Sequence, residues 1–245
     1  MGCFARRRKR VKELEIEGLA KPTIRPLAAA ISQSIARMTT WDRRAFLTGV
    51  ALAGFAPRAL AQAPPAADRD VSFPIKVAIG AELRAQKNET YDPAYVKLAY
   101  PMGDVPDDRG VCTDTVVRAF RHAGVDLQAE VHEDMIRNFA AYPQSWGLSK
   151  PDSNIDHRRV PNLETFFRHK GGARTLSKIA SEYLPGDVVS WRLVAGGLPH
   201  IGVVTRKRWT HGIPIVAHNI GAGTQEEPCL FNWPMTGWFR FESWT

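Results

Sequence analysis

The sequence predicts an α+β fold in which N-terminal helices pack on a small antiparallel sheet. Apolar residues recur at helical spacing in the first half of the segment 75–245, and short apolar segments separated by turns rich in Gly and Pro follow Gly171. Helices followed by a run of short strands are typical of this fold class. The composition, 44% hydrophobic and 24% charged, is that of a globular protein.

The N-terminal segment is typical of an export signal. The pair Arg43–Arg44 precedes an apolar run over residues 50–56 and the small-residue segment "ALAQA". This is the order of a cleavable secretory signal, and the apolar run is too short for a membrane span. The paired arginines make residues 38–61 similar to a twin-arginine signal. We expect cleavage after Ala61 or, as a second choice, after Ala63, and a periplasmic or secreted location. An amphipathic anchor or a core helix is the alternative.

Three further segments complete the domain assignment. Residues 1–37 precede Met38, a natural start for the signal, and we expect them to be a non-native N-terminal extension. Residues 62–74 are polar and contain proline, as linkers do. We expect residues 75–245 to form one domain, since neither internal repeats nor low-complexity tracts interrupt them.

The net charge of +8 belongs to the N-terminal leader. Residues 1–61 contain 12 basic and four acidic residues, so the other 184 residues contain 21 of each. A balanced domain does not indicate a nucleic-acid partner. We also expect no membrane span in the mature chain, and we expect it to be a monomer.

Four helices are predicted before the strands. The first begins near Ile75 and stops before "YDPAY". The second begins at Cys112 and ends before Gly124, which suits the position after a helix C-terminus. The third spans about 129–140, and the fourth lies in "VPNLETFFRHKGG", with a proline near its start.

Four strands are predicted after these helices, in "GDVVSWRLV", "HIGVVT", "PIVAHNI" and "TGWFRFESW". Because side chains alternate along a strand, His200 shares a face with Gly202, which leaves room for another group beside it. His218 and Asn219 point to opposite faces, so only one of them can face a group on a given side.

A cysteine at a helix start is a candidate nucleophile. The positive end of the helix dipole is expected to lower the pKa of Cys112 towards the reactive thiolate. Such a thiol needs a nearby base, most often histidine. Of the seven histidines, His200 and His218 stand in apolar strands, where a titratable group is unexpected.

Three alternatives compete with a Cys-His pair. Cys112 could be a small buried apolar residue. It could form a disulfide with Cys229, since an exported protein with two mature cysteines permits one. It could also bind zinc together with His200 and His218, although no paired C-x-x-C or H-x-x-x-H spacing supports a metal site.

Several motifs resemble a known family. The order of a Cys-helix, "LPGDVVSW", "HIGVVT" and "IVAHN" is similar to the bacterial NlpC-type (NlpC/P60-like) cell-wall peptidases, which are papain-like cysteine enzymes. The segments "GVCTDTVVRAFRHAGVDLQ", "YPQSWGL", "PDSNIDHRRVPNLETFF" and "HNIGAG" resemble more closely the exported DUF1287 family, from about Ile75 to the C-terminus.

The resemblance implies an active site. Cys112 would be the nucleophile, His200 its base and His218 the orienting residue, with Asn219 as the fallback. Two positions depart from the family pattern: Cys229 is a spare thiol, and Trp238 stands where a histidine is expected.

A charged block, one further carboxylate and Asn219 are candidates for binding substrate. The arginines of "NIDHRR" could hold the carboxylates of a peptide stem, because guanidinium binds carboxylate bidentately. The candidates are Asp114, Asp156, His157, Arg158, Arg159 and Asn219. The alternative is structural, with Asp114 capping a helix and the block forming an ion-pair cluster. In the same way, Asp187 is expected to fix a turn.

The function implied is a cysteine hydrolase, a peptidase or amidase of cell-wall peptides that needs no metal and no organic cofactor. We expect the Cys112 sulfur about 3–4 Å from a ring nitrogen of His200, and His218 in contact with the same ring. The alternative is a catalytically inactive cell-wall or peptide-binding module of the same fold.

Overall fold

The computed structural model describes residues 71–193 and 197–244, and the expected leader therefore lies outside the described residues. The helices are α1 (Phe73–Ala85), α2 (Cys112–His122), α3 (Leu127–Asn138) and α4 (Val160–His169). The strands are β1 (Thr90–Tyr91), β2 (Arg109–Gly110), β3 (Val188–Arg192), β4 (Pro199–Arg208), β5 (Pro214–Asn219), β6 (Thr224–Glu227) and β7 (Met235–Phe239). The four predicted helices and four predicted strands are all present.

The main sheet has five antiparallel strands in the order β6-β5-β4-β3-β7. All four helices precede it in the chain, which confirms the predicted α+β class with N-terminal helices on an antiparallel sheet. The sequence pattern missed β6, because "TQEE" contains no apolar residue. Charged side chains on such an edge strand discourage pairing with another chain. The pattern also missed β1 and β2, a short parallel pair.

The two faces of the sheet carry separate cores. One face contributes Ile201, Val203 and Ala217 to a core shared with the helices, in which Val116 and Phe120 of α2 are fully buried. The other face carries Val189, Trp191, Val204 and Val216, covered by the segment after β6 that includes Cys229 and Leu230. Strand alternation therefore decides which functional groups share a side of the sheet.

Local interactions explain where α2 begins and ends. Asp114, in its first turn, accepts a hydrogen bond from the Val111 backbone N–H at 2.7 Å, which satisfies a donor that the helix leaves free. At the other end Gly124 has φ +88°, and the Val125 N–H reaches the Phe120 carbonyl at 3.0 Å. This is the glycine-dependent termination that the sequence predicted.

The first helix begins at Phe73, two residues before the expected start of the domain, and ends at Ala85. No helix in the described part of the chain combines the length and the apolar character that a membrane crossing requires.

Candidate active site

Cys112 is the first residue of α2 and lines an open pocket. Cys112 is 7% exposed, so its thiol lies at the floor of the pocket rather than on the surface. The walls come from four regions that the fold brings together: Tyr91 of β1, the loop that carries Trp146, the segment 155–161 with its two arginines, and Pro199 at the start of β4. The pocket thus joins the helix start to the strand that bears His200.

The pKa of the Cys112 thiol is raised to about 12. Burial is the main cause, the backbone of Ile201 opposes it by hydrogen bonding, and the negative charge of Asp114 adds to it. The expectation of a lowered pKa is therefore wrong for the free protein. Desolvation of the thiolate outweighs the helix dipole here.

His200 and His218 form a buried hydrogen-bonded pair. Nε2 of His200 lies 2.9 Å from Nδ1 of His218, and Nε2 of His218 lies 3.0 Å from Oε2 of Glu227. Trp191 packs against both imidazoles, with ring centroids 5.6 and 6.4 Å away. The contact between the two histidine rings is the one that the sequence predicted, whereas their catalytic roles stay predictions.

Both imidazoles are neutral near pH 7. Burial, and then the neighbouring His218, lowers the pKa of His200 to about 3. Burial also lowers the pKa of His218, while Glu227 acts in the opposite direction. The pair can accept a proton only when a ligand or a movement changes this environment.

The thiol and the imidazole pair belong to different faces of the sheet. Cys112 packs in the helix-side core with Ile201, whose backbone lies beside the sulfur. His200, one residue earlier on β4, pairs across the sheet with Trp191, which belongs to the other core. Within residues 71–193 and 197–244, no hydrogen bond joins Cys112 to either histidine, and their pairing stays a prediction.

Asn219 lies on the side of the thiol. Its side-chain amide donates to the Gly110 carbonyl at 3.2 Å, just before α2. This contact ties β5 to the loop that leads into α2. Asn219 supports that loop, while its neighbour His218 faces His200 as alternation requires.

Asp114 and Arg158 form a buried ion pair, and Arg158 also lines the pocket. Two guanidinium nitrogens lie 2.8 and 2.9 Å from the two carboxylate oxygens, and the same guanidinium donates to the Ala94 carbonyl at 3.0 Å. With Asp114 also capping α2, both groups are occupied by structural contacts. For Asp114 and Arg158, the observed contacts are therefore those of the structural alternative, a helix cap and an ion pair.

The other charged candidates separate into buried and accessible groups. Asp156 is buried and accepts from the Asp152 N–H at 2.5 Å. His157 is buried too, and burial, followed by the charge of Arg158, lowers its pKa to about 4. Neither contributes to the wall of the pocket around Cys112, whereas Arg159 does.

Arg159 stands over the ring of Trp146, with its guanidinium carbon 4.1 Å from the ring centroid. One nitrogen lies 3.3 Å from Asp156, and no other hydrogen bond from this guanidinium is found among the described residues. Of the six candidates for binding substrate, Arg159 is the charged group best placed to meet an anion, and Trp146 is an aromatic wall beside it.

The spare cysteine and the unexpected tryptophan have structural positions. Cys112 and Cys229 are both free, which removes the disulfide alternative. Trp238 donates its indole N–H to Asp187 at 2.7 Å, and Asp187 also accepts from the Leu184 N–H at 2.9 Å, so it fixes the turn as expected. The described residues contain no group of three Cys, His, Asp or Glu side chains arranged to hold a metal ion.

Sequence reasoning missed Glu227 and Trp233, which complete the surroundings of the histidine pair. Trp233 has its ring centroid 5.8 Å from that of His200 and 6.0 Å from that of His218. Glu227 stands in a strand without apolar alternation, and Trp233 follows a turn. No periodic signal marks either residue, because both reach the site through tertiary packing.

A family model matches more than half of this chain. Residues 78–241 match the model described as "Domain of unknown function (DUF1287)". An uncharacterized Escherichia coli (strain K12) protein, YijF, is 58% identical over 167 residues, which cover 68% of this chain and 81% of that protein. NlpC1 of Trichomonas vaginalis is a solved structure with a TM-score of 0.39 and 14% identity; the match covers 70% of this chain and 45% of that chain. With its matched segment extending from α1 to the residues beyond β7, the chain belongs to the DUF1287 family.

Proposed function

We propose that this chain is an exported cysteine hydrolase, a peptidase or amidase of the NlpC type, that acts on peptide amides of the cell wall. The observation that supports it best is the position of Cys112. A thiol at the first residue of a helix, at the floor of an open pocket with aromatic and guanidinium walls, is placed to meet a carbonyl carbon.

The reaction uses groups around this pocket. His200 accepts the thiol proton, and the thiolate sulfur bonds to the amide carbonyl carbon. The backbone N–H of Cys112, at the helix start, donates to the carbonyl oxygen as it becomes negative. The C–N bond then breaks, His200 returns the proton to the amine, and water hydrolyses the thioester to release the acid.

Proton transfer requires a change from the free protein. With the thiol pKa near 12 and the His200 pKa near 3, the neutral pair is favoured. Because the thiol and the ring also belong to different faces of the sheet, the mechanism requires ligand binding to move β4 until the ring comes within hydrogen-bonding reach of the sulfur. Catalytic hydrogen bonds commonly tighten only in the complex with substrate.

The pocket favours a peptide that carries a carboxylate. Arg159 offers guanidinium donors beside the thiol, and Trp146 and Tyr91 offer aromatic faces for an adjoining apolar group. The cell-wall substrate also fits the export signal expected at residues 38–61.

One observation favours a second candidate, a peptide-binding module without turnover. The thiol has a raised pKa and no hydrogen bond to a histidine in the described part of the chain. A module of this kind would use the same pocket and the same Arg159 but would leave the amide intact.

The deciding experiment uses the full chain with Cys3→Ala and Cys229→Ala, so that Cys112 is the sole thiol. Peptides released from cell wall are incubated with this protein and with its Cys112→Ala counterpart, and the products are identified by mass spectrometry. New cleavage products only with Cys112 support the hydrolase. Peptide binding by both proteins without products supports the binding module and contradicts the hydrolase.

Iodoacetamide alkylation of the same protein gives an independent measurement. The hydrolase predicts that wall peptides change the alkylation rate of Cys112 and that His200→Ala abolishes the change. A rate that is indifferent to both peptide and His200 would contradict the proposed thiol chemistry.

A further inference from the structure

On the sheet face that carries Trp191, hydrogen bonds run in a row from Glu227 through His218 to His200. Strands β4, β5 and β6 contribute one residue each. The links are 3.0 Å from the carboxylate to Nε2 of His218 and 2.9 Å from Nδ1 of His218 to Nε2 of His200. His218 is fully buried and His200 is 2% exposed, so water does not compete for these positions.

The donor-to-acceptor order of this row is fixed because an ionised carboxylate can only accept hydrogen bonds. With Glu227 ionised, Nε2 of His218 must carry the hydrogen. A neutral imidazole then has a lone pair on Nδ1, and this atom must accept from Nε2 of His200. The opposite arrangement would place a bare lone pair of His218 against the carboxylate oxygens.

Two neighbouring donors do not interrupt this order. The indole N–H of Trp191 is used by the Leu230 carbonyl at 2.9 Å. Gln225, which faces His218 across the strands, donates to the Ala222 carbonyl at 3.1 Å. The hydrogen bond between the two histidines uses Nε2 of His200 and therefore leaves its Nδ1 outside the row.

We propose that Glu227 is a positioning residue: its carboxylate sets the protonated nitrogen of both histidines and leaves Nδ1 of His200 as the free lone pair. Use of that lone pair as the base for Cys112 rests on the proposed hydrolase function. The proton arrangement itself does not, and it can be measured without any substrate.

The test is nitrogen NMR of the full chain labelled with ¹⁵N-histidine, at pH 7. A His200→Gln variant assigns the His200 signals. We expect both rings to carry hydrogen on Nε2 in the unmodified protein. A hydrogen on Nδ1 of His200 in this spectrum would overturn the proposal without any further variant.

Glu227→Lys reverses the chemistry at the end of the row, since an ammonium group can only donate. The side chain of Glu227 is 50% exposed, so a longer residue has room. We expect the hydrogen to move from Nε2 to Nδ1 on both rings. Unchanged tautomers in a folded Glu227→Lys protein would overturn the proposal.

Two variants serve as controls. Glu227→Gln keeps an acceptor oxygen at the same position and should retain the original tautomers. Glu242→Lys makes the same charge change at a side chain that is 74% exposed and pairs with Arg174, and it should leave the imidazole signals unchanged. A tautomer switch in Glu242→Lys would show a general charge effect and would also overturn the proposal.

Alkylation of Cys112 in the protein lacking Cys3 and Cys229 separates this inference from the proposed function. If both are right, Glu227→Lys lowers the peptide-stimulated rate at least about tenfold relative to Glu242→Lys, as expected for a base held in the wrong tautomer. Expected tautomers with an inert thiol would refute the hydrolase alone. If the thiol is reactive and depends on His200 but Glu227→Lys does not move the tautomers, the role of Glu227 is refuted and the hydrolase proposal is not.

Discussion

Arg158 holds Asp114 by two hydrogen bonds, at 2.8 and 2.9 Å, directly below the first turn of the helix that begins with Cys112. Their side chains are 2% and 4% exposed. The pair joins the turn before α4 to the start of α2. The same carboxylate accepts from the Val111 N–H, so the contact fixes the position of the thiol.

Breaking this pair on one side should be costly. We expect Asp114→Ala to lower the free energy of unfolding by about 3 kcal/mol, because it leaves a buried guanidinium without its partner. Urea unfolding followed by circular dichroism measures the change. Arg158→Met in the same background should add much less than it costs alone; full additivity would contradict a coupled pair.

Asp187 should be a second point of high sensitivity. Its carboxylate, fully buried, accepts from Trp238 and from Arg240, with each nitrogen 2.7 Å away, and from the Leu184 N–H at 2.9 Å. We expect Asp187→Ala to cost about 3 kcal/mol and Asp187→Asn less, since the amide oxygen can still accept. Urea unfolding midpoints of the two variants are compared with that of Glu242→Ala on the surface. Equal midpoints for all three would contradict this role.

Gly202 should not tolerate a methyl group. A Cβ at this position would lie 2.8 Å from Cγ1 of Val216, 2.9 Å from the Ala217 carbonyl oxygen and 3.0 Å from Cβ of His218. We expect Gly202→Ala to destabilise the fold by about 1–3 kcal/mol through overpacking. It should also shift the ¹⁵N signals of His218. A stable variant with unchanged imidazole signals would show that the strands can separate without cost.

The buried histidines should make the protein sensitive to acid. The unfolded chain binds protons on histidine below about pH 6.5, whereas folded His157 and His200 have pKa values of about 4 and about 3. Between these limits the unfolded state binds more protons. The free energy of unfolding should therefore decrease as the pH is lowered, by up to about 1.4 kcal/mol per pH unit for each histidine.

Urea midpoints between pH 7 and pH 4 measure this dependence. His157→Gln should flatten the curve by up to the contribution of one histidine. A slope unchanged from that of the unmodified protein would contradict a neutral buried His157.

Much of the architecture follows from local patterns. Helical spacing and Gly124 marked α2 to within a residue, and apolar alternation marked β3, β4, β5 and β7. These features depend on neighbours a few residues apart, which a sequence displays directly. Alternation also placed His218 and Asn219 on opposite faces of β5, before any knowledge of what each face meets.

Only the tertiary structure decided what surrounds the functional groups. Desolvation at the pocket floor raises the thiol pKa that the helix dipole was expected to lower. Arg158 and Arg159 both line the pocket, but Arg158 pairs with the buried Asp114, whereas Arg159 stands over Trp146. Glu227 joins His218 only through the pairing of β5 with β6. Burial and long-range pairing set these electrostatics, and neither is carried by local spacing.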